Sequence, residues 1–258
     1  MFIPLHDANS LRHIRAQYVT IAIIAINVAV FLLTGFNGQQ ALIADALGYG
    51  YVPSVIHDIN ELTPDLVRVP EELTYVTYAF MHGDLMHLGG NMLFLWVFGD
   101  NVEDALGHIK YVIFYLACAA AGAWLHGFMD PASETPLIGA SGAVAGIVAA
   151  YLLLHPRVKV WVLALGRIPL RIPAFIPLLL WIGLQVFMFL ASGEDEVSWA
   201  AHLGGIAAGA LLLLVLRRPG VPLFDRAIVT PRAVVTEPPP LPEDKPDRGG
   251  MGRRWGRQ

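Results

Sequence analysis

A serine and a histidine lie in two different apolar segments of this sequence. Ser141 is in the run Gly139-Ala140-Ser141-Gly142, and His202 lies in a later segment. A hydroxyl and an imidazole are unfavourable in hydrocarbon unless they are hydrogen-bonded or touch water. Ser and His are also the minimum set for a nucleophile and its base, so the pair could carry acyl-transfer chemistry.

A second polar pair, His87 and Asn91, could stabilise the charge that such a reaction develops. The two residues are four apart, so on a helix they share one face, and both side chains can donate hydrogen bonds. The glycines around Ser141 place it near a helix N-terminus, where free N–H groups and the dipole favour an anion. These donors together would make an oxyanion hole.

Six apolar segments must position these residues. The chain has 258 residues, of which 55% are hydrophobic and 15% charged, against about 25% charged in a soluble domain. We expect an all-α membrane protein, a bundle of six transmembrane helices. The expected spans are 18–36, 78–99, 109–128, 137–155, 172–191 and 199–217.

The candidate residues fall at one depth in these spans. At about 1.5 Å rise per residue, Ser141, His202 and His87 lie roughly 20–22 Å above the same face of the membrane. The hydrocarbon core is about 30 Å thick, so all three lie roughly 10 Å beneath the other face. The fourth and sixth spans also carry glycines at spacings of three and four, which predicts close packing between them. These glycines are Gly139, Gly142, Gly146, Gly205 and Gly209.

The Lys and Arg residues predict the orientation. With six spans, sixteen of the 17 basic residues lie on the side of both termini and only Arg68 lies opposite, so both termini should be cytoplasmic. We expect a cytoplasmic lead over 1–17, a membrane domain over 18–218 and a Pro-rich, disordered cytoplasmic tail over 219–258. The long outer loop 37–77 should form short helices in the membrane interface.

Composition excludes several classes of site. Cys118 is the only cysteine, which rules out an intramolecular disulfide and cysteine-based metal centres. Nothing resembles a nucleic-acid-binding surface, and we expect no cofactor.

Each motif alone is weak, because Gly-Ala-Ser-Gly in a membrane helix is more often a packing face and a lone intramembrane histidine is often structural. Their convergence at one depth favours a working site.

Three segments resemble the rhomboid family of intramembrane serine proteases. Residues 81–103 are similar to its second-helix His-x-x-x-Asn region, and 138–146 to its Gly-x-Ser-Gly motif. Residues 201–209 are similar to its His-x-x-Gly-x-x-x-Gly motif. The resemblance covers roughly 18–218 and implies the six-helix form found in bacteria, in the inner membrane, acting on transmembrane protein substrates in the bilayer.

The resemblance also implies a role for each candidate residue. Ser141 would be the nucleophile and His202 the general base, with no third acid. His87 and Asn91 would help bind the oxyanion, and His82 and Gly139 would support the site. Residues 172–198 would form the lateral gate and cap for substrate entry.

The sequence departs from the family pattern at two places. No Trp precedes Trp96, so the first outer loop lacks the Trp-Arg pair of many rhomboids. Several bacterial members place a Tyr four residues after the serine, where it supports the histidine ring. Ala145 stands at that position here, which leaves His202 without this platform.

Two other classes of function are open to this sequence. One is a catalytically inactive rhomboid-like protein that binds or escorts membrane proteins, although such relatives usually lack the Ser or the His. The other is a haem or quinone protein, or a proton-coupled transporter, that uses intramembrane histidines such as His87 and His202. This second reading leaves the serine motif unexplained, and no acidic residue lies mid-membrane for a proton relay.

Overall fold

The described part of the chain is mostly helical. The computed structural model describes residues 2–35, 38–164, 166–191 and 198–225. The long helices are α1 (Tyr18–Gly35), α5 (Leu85–Leu106), α6 (His108–Met129), α7 (Ser141–Leu154), α8 (Phe175–Ala191) and α9 (Trp199–Leu216). The shorter ones are α2 (Gln39–Tyr49), α3 (Pro53–Ile56) and α4 (Thr74–Thr77), with single 3₁₀ turns at Glu71–Leu73 and Tyr78–Phe80.

Three of the described helices are long and apolar enough to cross a membrane: α1, α6 and α9. Each of the six expected spans does contain a long helix, but the other three differ from expectation. Helix α5 begins at Leu85 rather than 78, because the Asp84 carboxylate caps it by accepting from the His87 N–H at 2.8 Å. Helices α7 and α8 have 14 and 17 residues. The structure therefore supports three apolar span candidates rather than a count of six.

Helices α6, α7 and α9 pack with their backbones in contact. A Cβ added to Gly205 would overlap the Gly142 carbonyl, and one added to Gly209 would overlap the backbone of Gly146. A Cβ on Gly122 of α6 would lie 2.8 Å from the Ala201 carbonyl oxygen of α9. The small-residue faces predicted for the fourth and sixth segments are therefore confirmed as packing faces.

The outer loop forms the short helices that its sequence predicted, α2, α3 and α4. It also holds the chain that leads into α7. Tyr51 and Leu137 exchange two backbone hydrogen bonds, at 3.1 and 2.8 Å. The Gly139 N–H donates to the Tyr78 carbonyl at 3.0 Å.

A three-stranded antiparallel sheet is formed by the expected lead and by residues between the fourth and fifth expected spans, and its last two residues, Ile172 and Pro173, fall in the fifth span. Strand β1 (Phe2–Asp7) pairs with β2 (Lys159–Ala164), which pairs with β3 (Ile168–Pro173). The all-α prediction is wrong here. The alternation of buried Val160 and Val162 with exposed Lys159 and Trp161 is the period of a strand, but the run is only six residues long.

Two carboxylates at the end of α5 hold the N-terminal segment in place. Glu103 accepts from the backbone N–H groups of Val19 at 3.0 Å and Thr20 at 2.8 Å, which caps α1. Asp104 accepts from the N–H groups of residues 12–14 at 2.6–3.0 Å. Residues 12–14, which belong to the expected lead, are thereby bonded to the end of α5.

Two residues of the segment expected to be a tail are bonded to the end of α7. The N–H groups of Phe224 and Asp225 donate to the carbonyls of Leu153 and Leu154 at 2.7 and 2.8 Å. The last turn of a helix leaves such carbonyls without intrahelical donors, and residues 224–225 satisfy them at the end of α7. The remainder of the expected tail, 226–258, lies outside the described residues.

Candidate active site

Ser141 is the first residue of α7, as the glycine-rich sequence predicted. Its side chain is partly exposed, whereas residues 142–151 are all buried. The N–H groups of a first helical turn have no intrahelical acceptor, so they are available to a developing negative charge. A nucleophile at this position would generate its oxyanion beside them.

Gly139 and His87 are in close contact just before the serine. Gly139 has a φ of +116°, a conformation that L side chains rarely adopt. A Cβ at this position would lie 2.5 Å from His87 Nε2. The imidazole of His87 thus packs directly over the Gly139 backbone, in space that only glycine leaves open.

His82 connects α5 to the segment that precedes Ser141. Its Nε2 lies 3.1 Å from Asn91 Nδ2 and accepts from the Ala140 N–H at 3.4 Å. Both partners are donors, so Nε2 carries no proton. The His82 ring also lies 5.0 Å from the His87 ring, centroid to centroid. His82, His87, Asn91 and Gly139 are therefore adjacent in the structure, and Gly139 lies two residues before Ser141.

His202 lies in the first turn of α9, where it is 8% exposed. The start of this helix is held by Ser198, whose Oγ accepts from the Ala201 N–H at 3.2 Å and lies 2.8 Å from His126 Nδ1 on α6. The contact between Gly142 and Gly205 brings the beginnings of α7 and α9 side by side. Helices α7 and α9 therefore pack against each other at the ends that carry Ser141 and His202.

The hydrogen bond of the His202 ring goes to a residue that the sequence did not single out. Nδ1 lies 2.7 Å from Gln185 Oε1 on α8. Among the residues that the structure describes, no hydrogen bond joins His202 to Ser141. In an enzyme without substrate, the bond between nucleophile and base is often long and tightens only in the complex.

Two tryptophans also contact the imidazole. The Trp181 ring stacks on it at 6.2 Å between centroids, and the Trp199 ring meets it edge-on at 5.8 Å. These contacts and Gln185 surround the ring that Ala145 leaves without a platform. A signal for Gln185 was present in the sequence, since it is the one amide in an otherwise apolar helix and intramembrane polar residues usually have a role.

A family model for the rhomboid domain matches residues 70–219, more than half of the chain. The protein belongs to the rhomboid family. The match spans α5 to α9 and therefore includes every candidate residue described above. Rhomboids are integral membrane proteins, in agreement with the apolar helices of this chain.

Relatives with this domain occur in several kinds of organism. The chain is 31% identical to RHOMBOID-like protein 12, mitochondrial, from Arabidopsis thaliana, over 56% of this chain and 46% of the relative. It is 30% identical to Rhomboid protein 1, mitochondrial, from Saccharomyces cerevisiae, over 55% and 41%. It is 31% identical to Rhomboid protease GlpG from Klebsiella pneumoniae, over 57% and 46%.

The similarity to these relatives covers only part of each of them. The chain spans less than half the length of each of the three. They include mitochondrial and bacterial proteins, so they support an integral membrane protein but not the expected bacterial inner membrane in particular. Several relatives are named as proteases, which makes proteolysis the activity to test.

Proposed function

We propose that this rhomboid is an intramembrane serine protease in which Ser141 is the nucleophile and His202 is the general base. One observation carries the proposal: Ser141 begins a helix that packs, glycine against glycine, on the helix that begins next to His202. His202 would take the proton of Ser141 Oγ as that oxygen attacks the scissile carbonyl. It would then return a proton to the leaving amine.

The oxyanion would be held by His87, by Asn91 and by N–H groups at the start of α7. His82 would orient Asn91 through the contact between Nδ2 and Nε2, and Gly139 would let the His87 ring approach. Losing one such donor typically lowers the rate by about 10²–10³. Water would then hydrolyse the acyl-enzyme.

The proposed substrates are transmembrane segments of other proteins. A helical substrate hides its carbonyls in backbone hydrogen bonds, so it must unwind locally before it can be attacked. Small, helix-weakening residues such as glycine should therefore promote cleavage. We propose six spans over 18–218, with both termini and the sheet on the cytoplasmic side. We also propose 172–198 as the gate and cap for lateral entry, of which 192–197 lie outside the described residues.

An inactive binding or escort protein is the second candidate. Its support is the His202 imidazole, whose hydrogen bond goes to Gln185 while none joins it to Ser141 in the described residues. An activity-based probe separates the two candidates, because a fluorophosphonate labels only a serine that a base activates. Labelling of Ser141 would exclude the inactive protein.

The test of the proposed function is co-expression with a panel of single-span membrane proteins. Ser141→Ala should reduce cleavage to background and remove fluorophosphonate labelling, while the protein accumulates normally. Ser54→Ala is the matched control, because Ser54 is buried and its Oγ has no hydrogen-bond partner in the described residues. Ser54→Ala should cleave and label like the wild type. Undiminished cleavage by Ser141→Ala would refute the proposal.

A further inference from the structure

Gln185 is the one buried amide of α8. Its side chain is 2% exposed, and the helix is otherwise made of apolar residues. A buried amide is unfavourable unless its donors and acceptor are satisfied. Of the side-chain hydrogen bonds in the described residues, the one between Gln185 and His202 is the only one that ties α8 to another helix.

The second hydrogen bond of Gln185 defines which way its amide faces. Nε2 donates to the Trp181 carbonyl one turn earlier, at 3.1 Å. The amide oxygen is therefore the atom that faces His202 Nδ1, at 2.7 Å. Because that oxygen can only accept, Nδ1 must carry the proton. The neutral imidazole then has its lone pair on Nε2.

We propose that Gln185 is the positioning residue for His202, holding the ring in the tautomer whose Nε2 can take the proton of Ser141. The inference rests on the proposed function, because it assumes that His202 acts as a base. The amide replaces the acid of a Ser-His-Asp triad in orienting the ring but carries no charge. When Nε2 is protonated during attack, Nδ1–H remains bonded to a neutral oxygen.

The rings around His202 complete this arrangement. Trp181 and Trp199 contact two sides of the imidazole and limit its rotation. Trp181 acts twice, since its carbonyl orients the Gln185 amide and its indole stacks on the ring. Trp181 and Gln185 on α8 thus support the His202 ring, which Ala145 on α7 leaves without a platform.

The kinetic test compares substitutions at Gln185 with one at an exposed residue in the last turn of α9. Gln185→Leu keeps the volume and removes the acceptor, so kcat should fall at least tenfold while KM changes less than about twofold, as expected for a wrong tautomer. Gln185→Glu restores an acceptor oxygen at the same reach and should recover part of the lost kcat. Val215→Ala should leave both constants unchanged, because this side chain is 79% exposed and lies at the opposite end of α9 from His202.

A spectroscopic test reads the tautomer without activity. The ¹⁵N chemical shifts of histidine, measured in the Ser141→Ala background, distinguish a protonated Nδ1 from a protonated Nε2, and loss of the signal in His202→Gln assigns it. We expect protonated Nδ1 with Gln185 and a mixture of tautomers in Gln185→Leu. A protonated Nε2 in the parent, or identical spectra for the two, would overturn the inference.

The two proposals fail in different ways. If Ser141→Ala still cleaves its substrate, the proposed function is wrong whatever Gln185 does. If Ser141→Ala is inactive but Gln185→Leu keeps the kcat of the wild type, only the role of Gln185 is wrong. Should Gln185→Leu not accumulate, Gln185→Glu and the spectrum of the parent decide the question alone.

Discussion

At the scale of single residues, the site depends on positions where a side chain would obstruct another side chain. Gly139 is such a position, because it combines a φ of +116° with the His87 ring lying over its backbone. Its neighbour Ala140 donates to His82, so a shift of the segment would disturb two of the three polar side chains at once. The backbone of residues 139–140 therefore helps to fix the positions of His87 and His82.

Substitution of Gly139 tests this dependence. Gly139→Ala should reduce cleavage at least tenfold and destabilise the fold by about 1–2 kcal/mol, because the Cβ meets His87 and left-handed backbone is unfavourable for alanine. The comparison is with Gly89→Ala on α5, where an added Cβ meets nothing within 4 Å. Cleavage assays and thermal unfolding in detergent should find that variant active and no less stable.

His82 and Asn91 should act as one unit. Asn91→Ala removes a proposed oxyanion donor and should lower kcat by about 10²–10³. If His82 works by orienting Asn91, His82→Ala should give a loss of the same kind, and the double variant should be little worse than Asn91→Ala. Losses of kcat that multiply in the double variant would show that His82 acts independently.

At the scale of elements, the relation between Ser141 and His202 is set by the separation of α7 and α9. Both helices use glycines at the contact, so their backbones meet without side chains between them. Any substitution that moves the axes of α7 and α9 apart should also increase the distance between Ser141 and His202. Stability and activity are therefore coupled along this contact.

Gly205→Ala tests the coupling. The added methyl group overlaps the Gly142 carbonyl, so we expect a loss of about 1–3 kcal/mol of stability and a fall in kcat even at temperatures where the protein remains folded. Gly90→Ala in α5 is the control, because its Cβ would meet nothing within 4 Å. Unfolding curves and initial cleavage rates should both show a loss for Gly205→Ala and no loss for the control.

The sequence predicts the helices well where apolar runs are long. It predicts them less well where a single polar contact determines where a helix begins. The small-residue faces and the helix start at Ser141 followed from the glycines. The start of α5 did not, because the Asp84 cap and the 3₁₀ turn Tyr78–Phe80 place the first residues of the expected span outside the helix. The partner of His202 lies 17 residues away on another helix, and only packing shows that Gln185 faces it.

At the scale of the whole molecule, the N-terminal segment contacts both the helices and the residues after α9. Strand β1 brings Asp7 against α5 and α7, where its Oδ2 accepts from the Tyr151 hydroxyl at 2.7 Å and from Asn101 Nδ2 at 3.1 Å. Arg12 pairs with Asp225 at 3.0 Å, so the N-terminal segment also holds the residues after α9. The N-terminal segment therefore stabilises the end of the bundle opposite to Ser141.

Asp7 should make this docking sensitive to pH. Burial raises the pKa of its carboxyl from 3.8 to about 7; the Tyr151 hydrogen bond opposes this change and the nearby Asp100 carboxylate adds to it. Because the folded-state pKa lies above the unfolded one, the contribution of Asp7 to stability is complete below about pH 4 and is lost as pH rises through about 7. Thermal unfolding should therefore show a lower Tm at pH 8 than at pH 5, by roughly 5 °C.

Asp7→Asn should remove this part of the pH dependence. Its amide oxygen can still accept from Tyr151 and Asn101, but it has no charge to bury, so its Tm at pH 8 should exceed that of the wild type and the two should converge towards pH 5. The exposed Asp130→Asn controls for the change in net charge and should follow the wild-type profile. If Asp7→Asn lowered Tm equally at every pH, the buried carboxylate would instead be stabilised by its hydrogen bonds in the charged form.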